Sequence, residues 1–361
     1  MTNLDIAHQR LHNQLITQPT FENPVAVVQW LGAVQAQDYA AAKWAVGLRM
    51  QNAIEADIEQ AFDAGAILRT HVMRPTWHFV APADIRWLLA LTAPRVNVMA
   101  AYYYRALGLD DAIFARSNAA LARALQGGKQ LTRLELTSVL RQAGIIAENL
   151  GILHIIMRAE LDGVICSGAR RGKQFTYALL DERVLPARTL ERDEALAELA
   201  RRYFTGHGPA ALQDFVWWSG LTTADARSGL EMVKSQFICE TIENQTYWFS
   251  SSMPPAKSCS QAAYLLPNYD EYTVGYTDRR AAVDAARTKN LDPRSSVLLG
   301  HTIVIVGRIV GSWKRTLTKD AVTITPDLFT TLNEAEMRAF AAAVDRYGAF
   351  LERPIAAALH V

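Results

Sequence analysis

The stretch Thr132-Arg-Leu-Glu135, with the segments on either side of it, decides the fold. A threonine followed three residues later by glutamate is a capping box: the hydroxyl takes one orphan backbone N–H while the carboxylate reaches back to another. The helix it opens runs to Gln142 and stops at Gly144. Before it lies a helical run, Ala115 to Leu125, broken by Gly127–Gly128. After it comes a third helix, roughly Glu148 to Leu161, with Leu150, Leu153, Met157 and Leu161 at helical spacing. Two strand-like runs follow, Val164–Cys166 and Phe175–Leu179, joined by the tip Ser167-Gly-Ala-Arg-Arg-Gly-Lys173. Three helices and a hairpin in this order predict a winged helix-turn-helix.

Outward from this unit the pattern recurs. A helix over Asp193–Phe204 is punctuated by Gly206-His-Gly-Pro209, with Pro209 read as a first helical residue. A second helix passes through Trp217 to Gly220, and Thr222-Thr-Ala-Asp225 opens a third that reaches about Val233. Phe237–Ile242 and Thr246–Ser250 then read as a hairpin. Toward the N-terminus, helices are expected at 5–16, 24–33, 39–48 and 55–64, with strand-like runs at 67–73 and 77–81. Past residue 260 the texture is β-type: Ala263–Leu266, Tyr272–Tyr276, Ser296–Leu299, Thr302–Val306, Arg308–Trp313 and Ala321–Ile324, with Gly307 at a tight turn. Such short runs predict a strongly curved sheet or barrel. A last helix spans about Asn333 to Tyr347. The expected fold is therefore α+β. Its units are a first winged helix (1–90), a second (91–185), a third (186–255), and a β-barrel with a terminal helix (256–361).

Composition narrows the function. The 361 residues are 50% hydrophobic and 20% charged, a globular balance that excludes disordered and fibrous classes. The N-terminal residues carry no basic region followed by an apolar run, and no long apolar stretch occurs, so a cytoplasmic protein without membrane contact is expected. Cys166, Cys239 and Cys259 are widely spaced and read as buried thiols; neither a disulfide framework nor a metal site is expected. Net charge is +1, but residues 66–176 alone carry +7, flanked by −4 and −2. That asymmetry is compatible with nucleic-acid binding on one face, and equally with solvated surface helices. There is no Gly-x-Ser-x-Gly, Walker loop, dinucleotide glycine motif or His-Glu-x-x-His, which removes most hydride-transfer and NTP-dependent enzymes.

What remains is a set of polar residues inside apolar segments. Gln35 and Gln37 flank Ala36, and in an extended segment they would share a face. A glutamine amide can hold a water with its carbonyl and donate from its N–H₂, but it is no strong base. The alternative is that both satisfy helix-end backbone groups, with Asp38 next to them. Arg74 and His78, within Arg74-Pro-Thr-Trp-His78, could meet a phosphate or a base, although His78 between Trp77 and Phe79 also fits a core histidine. Asp270 and Glu271, in Tyr269-Asp-Glu-Tyr272, offer carboxylates near a turn. Trp217 and Trp218 read as core. Arg170, Arg171 and Lys173 form a basic hairpin tip suited to backbone contacts with DNA, or simply a solvated turn.

Several further blocks stand out: Gly32-Ala-Val-Gln-Ala-Gln37, Met73-Arg-Pro-Thr-Trp-His-Phe79, Arg202-Tyr-Phe-Thr-Gly-His-Gly-Pro209 and Asp214-Phe-Val-Trp-Trp-Ser-Gly-Leu221, then Leu265-Leu-Pro-Asn-Tyr-Asp-Glu-Tyr272, Gly275-Tyr-Thr-Asp-Arg279 and Gly307-Arg-Ile-Val-Gly-Ser-Trp313. Together they resemble the AlkZ/YcaQ-type winged-helix DNA glycosylases of bacteria. The resemblance implies three tandem winged helices around a channel and a C-terminal β-barrel. It also implies a Gln-aliphatic-Gln catalytic signature, which Gln35 and Gln37 fill, so the chain resembles the AlkZ branch rather than the YcaQ branch. Asp38 lies one residue past the carboxylate of the YcaQ branch and takes no role from it. The implied reaction is hydrolysis of the N-glycosidic bond of an N7-alkylated purine, bulky or crosslinked adducts included, in base-excision repair. The enzyme would be a monofunctional hydrolase acting as a monomer on double-stranded DNA, with no cofactor or metal. The glutamines would position the water and stabilise the developing sugar cation. A non-catalytic winged-helix DNA-binding protein or regulator is the alternative reading.

Overall fold

The computed structural model describes residues 1–187, 189–250, 262–284 and 292–356. Its first quarter is helical, with one strand threaded through it: α1 (Asn3–Asn13), α2 (Pro24–Leu31), β1 (Val34–Gln35), α3 (Tyr39–Gly47) and α4 (Glu55–Ala64). Sequence sets these boundaries. Asn23 accepts the Ala26 N–H at 2.9 Å and Pro24 fills the first turn of α2, where a missing N–H costs nothing. Gly32 then ends that helix with φ +80°, a conformation most side chains avoid. The strands β2 (Leu68–Val72) and β3 (Arg74–Val80) follow and complete a sheet in the order β1-β3-β2. In it Gln35 stands opposite His78.

The long helix α5 (Pro82–Ala106) follows. It has no counterpart among the expected helices and runs unbroken through the 90/91 boundary. Then come α6 (Asp111–Leu125), β4 (Leu131–Thr132), α7 (Arg133–Gln142), α8 (Asn149–Leu161), β5 (Ile165–Ser167) and β6 (Thr176–Leu179). This is the helix, helix, helix, hairpin order read from Thr132, and the capping box is present in both directions at 3.3 and 2.6 Å. After the short α9 (Leu180–Arg183) the order repeats with α10 (Arg192–Gly206), α11 (Leu212–Ser219), α12 (Thr223–Val233), β7 (Phe237–Ile242) and β8 (Gln245–Ser250). Pro209 is not a helical residue: it lies at a bend just before Ala210, which bridges Trp248 of β8, and α11 begins only at Leu212.

The C-terminal part holds β9 (Ala263–Leu266), α13 (Glu271–Val274), β10 (Thr302–Ile305), β11 (Arg308–Leu317), β12 (Val322–Leu328) and α14 (Glu334–Phe350). Three expectations are corrected here. Among the described residues the strands form an open antiparallel sheet, β12-β11-β10-β9, and no closed barrel. Tyr272–Tyr276 is not a strand, because Asp270 caps the Tyr272 N–H at 2.9 Å and turns the chain into α13. Ser296–Leu299 is a single 3₁₀ turn started by Ser295. The Gly307 turn holds, with φ +74°.

Two large buried clusters and a small one around Ile6, Ala7, Tyr247 and Ala281 fill the molecule. One gathers α5 to α12 with β2. The other joins the N-terminal helices to the C-terminal sheet and α14, so the two ends of the chain share a core. Trp44 marks that junction: its indole N–H donates to Leu265 O at 2.6 Å, and its ring packs 5.1 and 4.9 Å from Tyr347 and Phe350. Cys166 is buried as expected, whereas Cys239 is exposed on β7, whose hairpin has one face in solvent; Cys259 lies outside the described residues.

Candidate active site

The segment after α2 is extended, not helical. β1 pairs with β3, and Ala36 N donates to Trp77 O at 2.7 Å. Gln35 is buried at 6% exposure while Gln37 is exposed. Neither satisfies a helix end. Gln35 Oε1 lies 2.7 Å from Arg74 Nη2, and Gln37 Oε1 accepts weakly from Trp77 N at 3.4 Å. A guanidinium can only donate, so the atom facing Arg74 must be the carbonyl oxygen. The Gln35 N–H₂ therefore points away from Arg74, and it makes no hydrogen bond among the described residues.

From beneath, the Gln35 backbone is held by Glu271. Its Oε1 accepts the Gln35 N–H at 3.0 Å, and its Oε2 accepts from Trp218 Nε1 at 2.8 Å and from His207 Nε2 at 3.2 Å. The carboxylate is completely buried. Burial by itself would raise its pKa, but His207, the Gln35 N–H and the charge of Arg74 outweigh that, leaving Glu271 below the usual glutamate value and ionised. Arg74 is in turn drawn down by burial, with Glu271 opposing the shift. Its guanidinium lies 5.7 Å from the Trp217 ring centre. Trp217 is 41% exposed, not core, and its indole N–H is fixed on Val274 O at 2.9 Å. It lines an open groove of about 870 Å³ together with Tyr247, Arg279, Arg280 and Arg294.

The remaining expected residues separate. His78 is fully buried beside Gln35 across the sheet; its Nδ1 donates to Thr76 O at 2.9 Å and its Nε2 has no partner. Burial, then the nearby Arg74 charge, push its pKa down to about 3, so the ring is neutral. Asp38 caps α3 through the Ala41 N–H at 3.1 Å and takes Asn268 Nδ2 at 3.3 Å. Asp270 forms a fully buried bidentate ion pair with Arg49, both contacts at 2.8 Å. At the hairpin tip Arg170 packs 5.0 Å from the ring centres of both Tyr39 and Phe175, and Arg171 binds Glu135 at 2.8 Å. Lys173 is exposed. His207 and Trp218 were not singled out as site residues by local patterning, although both stand in the blocks that carry the family resemblance. Among the described residues no group of three His, Cys, Asp or Glu could hold a metal, and no helix is long and apolar enough to cross a membrane.

The site of this α+β chain thus has Gln35 on a short strand held by a buried carboxylate, with Gln37 at the bend that follows. The family described as DNA glycosylase AlkZ-like matches residues 28–350, and the chain belongs to it. A curated relative, the interstrand DNA cross-link repair glycosylase of Streptomyces sahachiroi, is 24% identical over 336 residues, covering 88% of this chain and 89% of that protein. The solved structure of Streptomyces sahachiroi DNA glycosylase AlkZ superposes with a TM-score of 0.78 at 20% identity, covering 99% of each chain.

Proposed function

We propose that this chain is a monofunctional DNA glycosylase that hydrolyses the N-glycosidic bond of N7-alkylated purines in duplex DNA. The observation that carries this reading is the Gln35–Arg74 contact at 2.7 Å, with Gln37 two residues on, at the bend that follows the strand. N7-alkylation gives the base a positive charge, so it leaves without a strong general acid, and an amide pair can replace the usual two carboxylates. Gln35, its carbonyl committed to Arg74, offers an oriented N–H₂ donor; Gln37, whose carbonyl makes only a 3.4 Å contact, holds the attacking water. The carbonyl dipole of Gln37, with the ionised Glu271 beneath Gln35, then stabilises the developing positive charge on the sugar.

Substrate scope follows from the surroundings. The groove beside Trp217 gives room for a bulky adduct, and the relative that acts on interstrand cross-links supports extending the scope to them. The two helix-helix-helix-hairpin repeats serve as winged helices flanking the duplex, with a looser third unit at the N-terminus and a channel between them. The basic stretch 66–176, with Lys173 at its hairpin tip, supplies phosphate contacts. The protein acts as a monomer in the cytoplasm, on DNA, as part of base excision.

The test is incubation of the purified protein with a duplex carrying a single N7-alkylguanine, followed by assay for abasic sites. Abasic product is expected. Tight duplex binding with no product from several adducts would point instead to a non-catalytic DNA-binding protein.

A further inference from the structure

We propose that Arg74 and Glu271 are positioning residues that fix Gln35 from two sides, and that Arg74 is spent on this task rather than on a DNA phosphate. The inference rests on the reading of Gln35 as a reacting group.

A glutamine side chain has three rotatable bonds, and its amide can present either end. At Gln35 both freedoms are removed. The donor-only guanidinium of Arg74 selects the carbonyl end at 2.7 Å, and the amide hydrogens are thereby aimed as well. The backbone is pinned separately, since Glu271 Oε1 takes the Gln35 N–H at 3.0 Å. Glu271 is itself immobilised, because its second oxygen is occupied by Trp218 and His207 at 2.8 and 3.2 Å and the residue is fully buried. An isolated buried charge of either sign is strongly unfavourable. Here the cation and the anion lie in one another's field with Gln35 between them, so the ground under the glutamine is close to neutral. Loss of the Glu271 charge would leave Arg74 uncompensated where a sugar cation must form, and the chemistry would slow. Loss of Arg74 would free the Gln35 amide to rotate.

Three variants test this: Arg74→Met, Arg74→Lys and Glu271→Gln. Each is measured for single-turnover excision, for duplex affinity across a salt series, and for the side-chain amide NMR signals of Gln35, assigned by their absence in Gln35→Ala. Arg74→Met is expected to slow excision roughly 10- to 100-fold, the scale of a misplaced reacting group. Its duplex affinity and salt slope should stay at wild-type values, and Arg74→Lys should recover part of the rate. Glu271→Gln should also slow excision with affinity retained; if it fails to fold, the Arg74 pair decides. The Gln35 amide signals should be dispersed in wild type and averaged in Arg74→Met. A salt slope lowered by about one, with affinity lost in step, would make Arg74 a phosphate contact and overturn the proposal. So would unchanged Gln35 signals in Arg74→Met. Because the NMR readout needs no turnover, a wild-type protein without glycosylase activity would refute the functional reading while still testing the clamp.

Discussion

A Cβ placed on Gly220 would lie 2.2 Å from the Met73 carbonyl oxygen, so the end of α11 is seated directly against the β2–β3 turn that carries Arg74. Gly220 has φ +69° and Met73 has φ +64°, so two left-handed residues meet at this contact. Gly220→Ala adds a side chain where backbone already stands and is expected to lose about 2–4 kcal/mol of stability. Urea denaturation checks the loss, and a matching fall in excision would report displacement of Arg74.

Much of the framework was legible because it is written in local chemistry. Thr132 with Glu135, Asn23 with Pro24, Thr222 and Asn333 each satisfy orphan backbone groups within a few residues, and each boundary they imply is present. The helix α5 does not stand out in the sequence because Pro94 and polar residues interrupt its pattern, although it continues unbroken with Pro94 inside it. The Tyr272 run read as a strand by residue type, but Asp270 capping won. At the site, the glutamine pair was visible. Arg74 and Glu271 stood out as polar candidates too, but their contact with Gln35 was not legible, since they lie 39 and 236 positions from it and only the folded chain brings them together.

Asp270 is committed to a buried ion pair. Its bidentate pair with Arg49 is fully buried, and Asp270→Asn would strand a buried guanidinium charge. A loss of about 3–5 kcal/mol is expected, measured by chemical denaturation. The double variant Arg49→Met/Asp270→Leu should lose clearly less than the sum of the two single variants.

His78 gives the protein an acid-sensitive term. Its pKa falls from 6.5 in the unfolded chain to about 3 in the folded one, so between those values the unfolded chain binds the extra proton. The stability it contributes is complete above pH 6.5 and is lost as pH falls toward 3, at up to about 1.4 kcal/mol per pH unit. Denaturation midpoints across pH 4–7 should show a shallower slope in His78→Gln, with a residual slope from His301, which is also lowered, to about 4.

The hairpin tip should divide by residue. Lys173→Ala is expected to weaken duplex binding and reduce the salt slope by about one. Arg170→Ala removes a guanidinium packed on Tyr39 and Phe175, so its main effect should be on thermal stability. Fluorescence anisotropy over a salt series, with melting curves beside it, separates the two.

The most direct measurement is single-turnover excision of an N7-alkylguanine from duplex DNA by wild type, Gln35→Ala and Gln37→Ala, with duplex affinity determined on the same samples. Abasic product from wild type is expected, with a loss of about 100-fold or more in each variant at unchanged affinity. Wild-type rates in both variants would contradict a chemistry centred on the two glutamines.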